Sequence, residues 1–181
     1  YVGDRLFNAL HGAQRMVFGE PAGRWSVDLV FDALAMSHRI DLRSRLSMSG
    51  PTLDLADLVL TKLQVWEINE KDLGDVACLL ADHPLGGAAT ASADHTAIDL
   101  DRLTSLLGSD WGLCHTVERN LARVAELWAS TPAPGSPHDV GVQVATLVTA
   151  IEGAPKSIGW RARARVGERV RWYETPEEVR R

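Results

Sequence analysis

The apolar residues between positions 55 and 80 recur at helical spacing, and this pattern constrains the fold more than any other feature of the chain. Thr52 or Asp54 can cap a first helix, and Asn69 interrupts the pattern and can cap a second. The first stripe comprises Leu55, Leu58, Val59, Leu63 and Trp66, and the second comprises Leu73, Val76, Ala77 and Leu80. Two successive amphipathic helices are predicted, and a chain of 181 residues is long enough to give them a common core.

Lys62 falls among these apolar residues. Positions 55, 58, 59, 62 and 66 share one face of a helix, so Lys62 is predicted to point inward or toward the edge of a cleft. A buried ammonium is costly unless it meets an anion. Two interpretations stay open: the lysine stem covers apolar surface while its head reaches water, or Lys62 faces a phosphate or a group of carboxylates.

Two aspartates follow on the second helix. Asp72 and Asp75 stand three residues apart and share one side of it, whereas Lys71 and Asp75 stand four apart. Lys71 and Asp75 can form a surface pair worth about 0.3–0.5 kcal/mol, and Asp72 near the helix start suits the helix dipole. The aspartates therefore have a purely structural explanation as well as a functional one.

Short β-like runs occupy residues 13–18 and 24–32, and the Gly/Pro-containing gap between them predicts a hairpin. Asp28 lies within the second run among apolar neighbours, where aspartate is disfavoured. It lies either on an exposed strand face or in a metal site, because Mg²⁺ prefers carboxylate ligands held on rigid strands. None of the six histidines forms a helical ligand pair, so a zinc site is not predicted.

The remainder of the chain is predicted to be helical and then β-like. Residues 84–97 include a Gly/Ala/Ser-rich loop or linker, dividing the chain into domains 1–83 and 98–181. Three helices should follow, with Asp110 capping the middle one. Residues 160–173 alternate like a basic β-hairpin. Its arginines, Arg161, Arg163 and Arg165, either bind RNA or nucleotide phosphates or form a solvated face.

Charge and composition exclude some classes of protein. The net charge is −5 and the pI is about 5.7, so the molecule as a whole is not a polyanion binder. No run of eighteen apolar residues occurs, and no membrane span is expected. The chain has two cysteines outside any metal-ligand spacing, which favours reduced thiols and a cytoplasmic location.

The order of several segments resembles a known family. The segments are FNALHGAQRMVF, VDLVFDALAMSHRIDLRSRL, LDLADLVLTKLQVWEINEKDLGDVACLL, DWGLCHTVERNL and PKSIGWRARARVGERVRWYETPEEV. Together they are similar to bacterial nucleotidyltransferase-family proteins related to the AbiEii and MenT-type toxins of the polymerase-β-like superfamily. The resemblance spans most of the chain, and the order of the segments is more specific than any one of them.

The resemblance implies an α+β fold: part of a nucleotidyltransferase-type mixed sheet with flanking helices, then a helical region and the basic hairpin. It implies transfer of NMP from an NTP to RNA, tRNA or a protein hydroxyl, with Mg²⁺ as cofactor and an antitoxin protein as a possible partner. Asp28 would be the metal ligand or base, and Lys62 would contact phosphate. Asp72 and Asp75 would orient Lys62 or the nucleotide, and Lys71 would bind nucleotide or RNA.

The resemblance also implies a Gly-Gly or Gly-Ser turn and a D-x-D strand before Asp28. Neither motif precedes Asp28 in this sequence, so both are expected upstream of Tyr1. Without them, catalysis is expected to be weak or absent. The alternative is a non-catalytic nucleotide- or RNA-binding regulatory module that keeps a degenerate form of the fold.

Overall fold

The structure is a computed structural model that describes residues 1–45, 52–88, 96–131 and 135–175. The chain forms two compact units, which we call the strand-rich unit (Tyr1–Gly50 with Glu174–Arg181) and the helical unit (Pro51–Tyr173). Packing therefore divides the chain near residue 50, whereas the sequence predicts a division at residues 84–97. Residues 89–95 of that segment lie outside the described residues, so the predicted linker stays a prediction.

Five strands and one α-helix lie in the described residues of the strand-rich unit. A three-stranded antiparallel sheet has the order β1-β2-β3, and β4 pairs with β5 in a separate antiparallel hairpin. The predicted hairpin between residues 13 and 32 is confirmed as β2 and β3, in which Val17 lies opposite Asp28. The elements are β1 (Val2–Gly3), α1 (Arg5–His11), β2 (Arg15–Gly19), β3 (Ser26–Val30), β4 (Ala33–Ala35), β5 (Arg39–Asp41) and a 3₁₀ helix at Arg43–Arg45.

The described residues of the helical unit include six α-helices with the bounds given below, and a short parallel strand pair lies between the second and third of them. Asp54, Asn69 and Asp110 cap three of the helices through their side-chain oxygens, as the sequence predicts. The elements are α2 (Leu55–Leu63), α3 (Glu70–Asp82), β6 (Leu85–Gly86), β7 (Ile98–Asp99), α4 (Leu100–Ser109), α5 (Trp111–Ser130), α6 (Val140–Gly153), α7 (Ile158–Val166) and a 3₁₀ helix at Gly167–Arg169. No helix in the described part of the chain is long and apolar enough to cross a membrane.

The buried face of α2 differs from the predicted one. Ala56, Val59, Leu60 and Leu63 are buried, whereas Leu55 and Leu58 are only partly covered. The centre of the buried face therefore lies about one position away from the predicted stripe, which moves Lys62 from the centre of the apolar face to its edge.

The α+β class is confirmed, but two finer predictions need correction. The described strands form three small sheets, so no single mixed sheet is present in the described ranges. The predicted basic β-hairpin is wrong, because Ile158–Val166 is helical. Ser157 caps this helix through its hydroxyl, and Gly167 ends it with a φ of 58°. Alternating arginine and alanine mimics a strand pattern, but both residues have high helix propensity.

Candidate functional site

Lys62 lies between two carboxylates of the neighbouring helix. Its Nζ is 2.5 Å from Asp72 Oδ1 and 2.9 Å from Asp75 Oδ2. The side chain of Lys62 is 31% exposed. Of the two interpretations open from sequence, the structure supports a lysine that faces carboxylates.

Lys71 completes this group, which we call the Lys62 cluster (Lys62, Lys71, Asp72 and Asp75). Lys71 Nζ lies 3.1 Å from Asp75 Oδ2, in the i, i+4 pair expected from sequence, and its side chain is largely exposed. Two ammonium groups face two carboxylates, so the cluster is electrically neutral as a whole. Lys62 donates two of its three ammonium protons to aspartates, which leaves one for a further acceptor.

The cluster shifts the ionisation of its own members. Burial lowers the pKa of Lys62, but its hydrogen bonds to Asp72 and Asp75 and the charges of both carboxylates outweigh burial and raise that pKa above its ordinary value. Hydrogen bonds from Lys62 and then Lys71 lower the pKa of Asp75. Lys62 is therefore charged, and Asp75 ionised, throughout the neutral range.

Replacing Asp75 by asparagine is expected to lower the free energy of unfolding slightly at neutral pH and by less in acid. Because the folded-state pKa of Asp75 is lowered, its contribution is present above the ordinary carboxyl pKa of about 4 and is lost as the pH falls through the lowered value. Urea unfolding at about pH 7 and pH 3 checks this. Glu152→Gln on α6, an exposed carboxyl, is the control, and a difference for Asp75→Asn that is as large at pH 3 as at pH 7 contradicts the prediction.

The turn between α2 and α3 sets the geometry of the cluster, and a buried amide on α5 fixes that turn. Asn120 Nδ2 donates to the backbone carbonyls of Leu63 (2.9 Å) and Val65 (2.8 Å). Asn120 is fully buried. It therefore satisfies carbonyl groups at the C-terminal end of α2, which the helix itself leaves without donors.

Two arginines of α5 hold the rest of the same turn. Arg119 donates to the backbone carbonyl of Trp66 (2.7 Å) and its guanidinium lies 4.1 Å from the centre of the Trp66 ring. Arg123 donates to the carbonyl of Ile68 (3.0 Å). Together with Asn120, these side chains fix the path of the backbone from Lys62 to Asp72 and Asp75.

A buried ion pair anchors the other end of α2. The Asp57 side chain is 0% exposed, and its Oδ1 accepts from Arg102 Nε (3.1 Å) and Nη2 (2.9 Å) on α4. A carboxylate in such a position requires a cation and good hydrogen-bond geometry. Asp57 and Arg102 thus join α2 to α4 on the side of the helix remote from solvent.

Sequence reasoning did not identify Asp57, Arg102 or Asn120. One signal was present for Asn120, because a polar amide at position 120 falls on the apolar stripe of α5 that includes Leu113, Val117 and Val124. For Asp57 the signal was equally local, since the residues at positions 56, 59, 60 and 63 around it are apolar. Their partners are 45 to 57 residues away in sequence, so periodicity could not name them.

Asp28 lies in the strand-rich unit and is described there by itself. It lies on β3 with its side chain 41% exposed and forms an ion pair with Arg15 on β2. Both line a cavity of about 340 Å³ whose wall also includes Phe7, His11 and Glu174. Asp28 therefore lies on an exposed strand face, and its role as a metal ligand stays a prediction.

Arg161, Arg163 and Arg165 do not form the predicted strand face. Arg163 donates to the carbonyls of Gly167 (2.6 Å) and Val170 (2.5 Å), and its guanidinium lies 4.8 Å from the centre of the Trp111 ring. Arg161 and Arg165 are exposed and lie one helical turn apart. Arg163 therefore binds the backbone of the segment that follows the helix, at Gly167 and Val170. Arg161 and Arg165 lie on another side of the helix.

The Mg²⁺ site that the resemblance implies at Asp28 stays a prediction. The described residues contain no group of three or more His, Cys, Asp or Glu side chains that could hold a metal ion, and Asp28 is paired with Arg15. A Gly-Gly pair at 86–87 and the aspartates of Asp99-Leu100-Asp101 do occur within the helical unit. However, Asp99 caps α4, and Asp101 accepts from the backbone N–H of Ala88 (3.0 Å). We derive no step through a metal.

Comparisons with known proteins do not place the chain in a family. No family model matches it, and neither a curated protein nor a solved structure shows significant similarity to it.

Proposed function

We propose that this protein binds a nucleoside triphosphate through Lys62 and transfers its NMP group to a hydroxyl acceptor. The observation that carries the proposal is the Lys62 cluster. Lys62 lies within hydrogen-bond distance of Asp72 and of Asp75, the two aspartates to which the family resemblance also assigns nucleotide chemistry. The segment order that underlies the resemblance supports the same function.

In the proposed reaction, an acceptor hydroxyl oxygen forms a bond to the α-phosphorus of the NTP. The bond from that phosphorus to the bridging oxygen of the β-phosphate breaks, pyrophosphate leaves, and the hydroxyl proton passes to a base. Such transfers depend mainly on positioning and on neutralising phosphate charge. Asp72 and Asp75 hold Lys62 in one orientation, and its remaining proton is available to a phosphate oxygen.

The finer parts of the proposal follow the resemblance. The acceptor would be RNA, including tRNA, or a protein hydroxyl, and an antitoxin protein would be a partner. Asp28 would act as the base after release from Arg15, and Lys71 would add positive charge near the nucleotide. The cytoplasm is the proposed location, since Cys78 and Cys114 are both free thiols.

Lys62→Met is expected to reduce transfer of labelled NMP about a hundredfold, because it removes the cation from the phosphate while keeping an unbranched side chain of similar length. The assay uses the protein as its gene encodes it, with labelled NTPs, Mg²⁺ in the buffer and total cellular RNA as acceptor. Labelled RNA or self-labelled protein is measured on a gel.

Lys71→Met is the matched control, because Lys71 belongs to the same cluster but is exposed and contacts only Asp75. It is expected to change transfer much less than Lys62→Met. Equal transfer by the unaltered protein and by Lys62→Met would remove Lys62 from the reaction. Urea unfolding of both variants separates a loss of stability from a loss of chemistry.

The Arg15–Asp28 ion pair favours a second candidate function: a non-catalytic module that binds nucleotide or RNA. A carboxylate occupied by an arginine is a poor base, whereas binding by Lys62 does not need Asp28. In this case, calorimetry detects NTP binding that Lys62→Met weakens, yet no labelled product forms. Product formation by the unaltered protein would reject this second candidate.

A further inference from the structure

The strand-rich unit leaves much apolar surface uncovered. Its described residues bury only four hydrophobic side chains: Val17, Ala33, Ile40 and Leu42. Nine large hydrophobic side chains of the same unit are exposed: Tyr1, Val2, Leu6, Leu10, Trp25, Val27, Leu29, Val30 and Phe31. Exposed apolar residues that adjoin one another mark interaction surfaces, and five of these nine lie on or next to β3.

The backbone of β3 is open along one edge. β3 is an outer strand of the β1-β2-β3 sheet, and no other described strand pairs with it. Phe31 N–H donates to the Gln14 carbonyl and Glu20 N–H to the Trp25 carbonyl, both at 2.9 Å. In an antiparallel ladder such pairs recur at every second residue. Val27 and Leu29 therefore bond toward β2, while the N–H and C=O groups of Asp28 and Val30 point to the open edge.

This edge lacks most of the features that keep edge strands from pairing. The segment from Trp25 to Phe31 contains no lysine and no proline, and all five residues of β3 are exposed. Natural edge strands are normally protected by such residues or by a covering element. Asp28 is the one charge on β3, and its carboxylate is already neutralised in part by Arg15.

We propose that the open edge of β3 binds an extended strand from another polypeptide. One face of the sheet carries the side chains of Val27, Leu29 and Phe31, so the added strand should place apolar side chains beside them. Asp28 lies on the opposite face and calls for a lysine or arginine beside it. The partner is thus a segment with alternating apolar residues and a basic residue near its middle. This surface is separate from the Lys62 cluster, and the inference does not depend on the proposed function.

A second copy of this chain fits the edge less well. A two-fold axis at Asp28 would place the two Asp28 carboxylates opposite each other, which is destabilising. A two-fold axis at Leu29 would place Val30 of one copy opposite Asp28 of the other, so Asp28 would have no cation beside it on the added strand. In addition, five residues of strand extend only about 17 Å, too little for the roughly 1,200 Å² that a stable dimer interface buries. Addition of a single strand requires no such area.

Hydrogen–deuterium exchange measured residue by residue by NMR tests the proposal. The probe is a synthetic peptide in which valine alternates with threonine and a lysine occupies the middle; a matched peptide carries glutamate instead. At about ten times its dissociation constant, the lysine peptide is expected to slow exchange of the Asp28 and Val30 amides about tenfold. The amides of Val27 and Leu29 already bond to β2, so their exchange should change less. The glutamate peptide should bind more weakly.

Val30→Pro removes an outward N–H without removing a bond to β2, as prolines on edge strands do. It is expected to abolish the protection of Asp28 by the lysine peptide, whereas Val30→Thr, which keeps the N–H, should retain it. The circular dichroism of both variants checks that the sheet is intact. If Val30→Pro fails to fold, the comparison of the two peptides still decides the question.

Two results would overturn the proposal. One is unchanged exchange of the Asp28 and Val30 amides with millimolar lysine peptide. The other is protection of those amides that appears without peptide as the protein concentration rises, which would make a second copy the occupant.

Discussion

Arg102→Leu is expected to lower the free energy of unfolding by about 3 kcal/mol, as measured by urea unfolding followed by tryptophan fluorescence. The substitution removes the cation facing a carboxylate whose side chain is 0% exposed. Leucine fills much of the space but cannot replace the hydrogen bonds from Nε and Nη2 to Asp57 Oδ1. Since Arg102 itself is 19% exposed, water can reach part of the site, and we expect the lower end of the range typical of buried pairs.

The double variant Asp57→Leu/Arg102→Leu separates the loss of the pair from the isolation of a buried charge. A carboxylate without its arginine is the costly state, so the double variant is expected to be more stable than Arg102→Leu alone. Arg161→Leu, an exposed arginine on α7, is the matched control and should change stability by no more than about 0.5 kcal/mol. A double variant no more stable than Arg102→Leu would contradict our account of this pair.

Asn120→Leu is likewise expected to lower the free energy of unfolding by about 3 kcal/mol. The carbonyls of Leu63 and Val65 both lose their donor from Asn120, and each buried carbonyl without a partner costs about 1–3 kcal/mol. Leucine is close to asparagine in size, so the loss reports hydrogen bonding rather than a cavity. Urea unfolding gives the measurement.

Arg123→Leu is the control for Asn120→Leu, because it removes one hydrogen bond to the same turn from a side chain that is only partly buried. We expect a loss of about 1 kcal/mol for it. If the two variants lost equal stability, burial of the amide would not be what makes Asn120 important. If Asn120→Leu were as stable as the unaltered chain, the turn between α2 and α3 would be held by other contacts.

The parts of the fold that could be predicted from sequence are those encoded by neighbouring residues. The starts of three helices could be predicted from Asp54, Asn69 and Asp110, because a capping side chain and the backbone N–H that donates to it lie three residues apart. The prediction of a strand within Ile158–Val166 was wrong, because the alternation of arginine with apolar residues fits a strand whereas the residue types favour a helix. There, propensity and the Ser157 cap outweighed periodicity.

The candidate site was only partly predictable for a related reason. Lys62, Asp72 and Asp75 stood out because charges occur near apolar positions of two adjacent helices, and their proximity follows from a short connection. The residues that fix this geometry belong to α4 and α5, and nothing in a local pattern connects Arg102 to Asp57 or Asn120 to Leu63. Such pairings arise only when the helices pack.

Gln143 on α6 donates from its Nε2 to the backbone carbonyls of Leu80 (2.9 Å) and His83 (2.6 Å) at the C-terminal end of α3. Asn120 makes the same kind of hydrogen bonds at the C-terminal end of α2. In both helices that carry the Lys62 cluster, the C-terminal carbonyls thus accept hydrogen bonds from side chains about sixty residues later in the sequence. A gene fragment that stopped after α3 would retain every charged residue of the cluster but neither amide. The shortest segment that carries the cluster together with both amides therefore runs from α2 to α6, well beyond the two helices on which its charges lie.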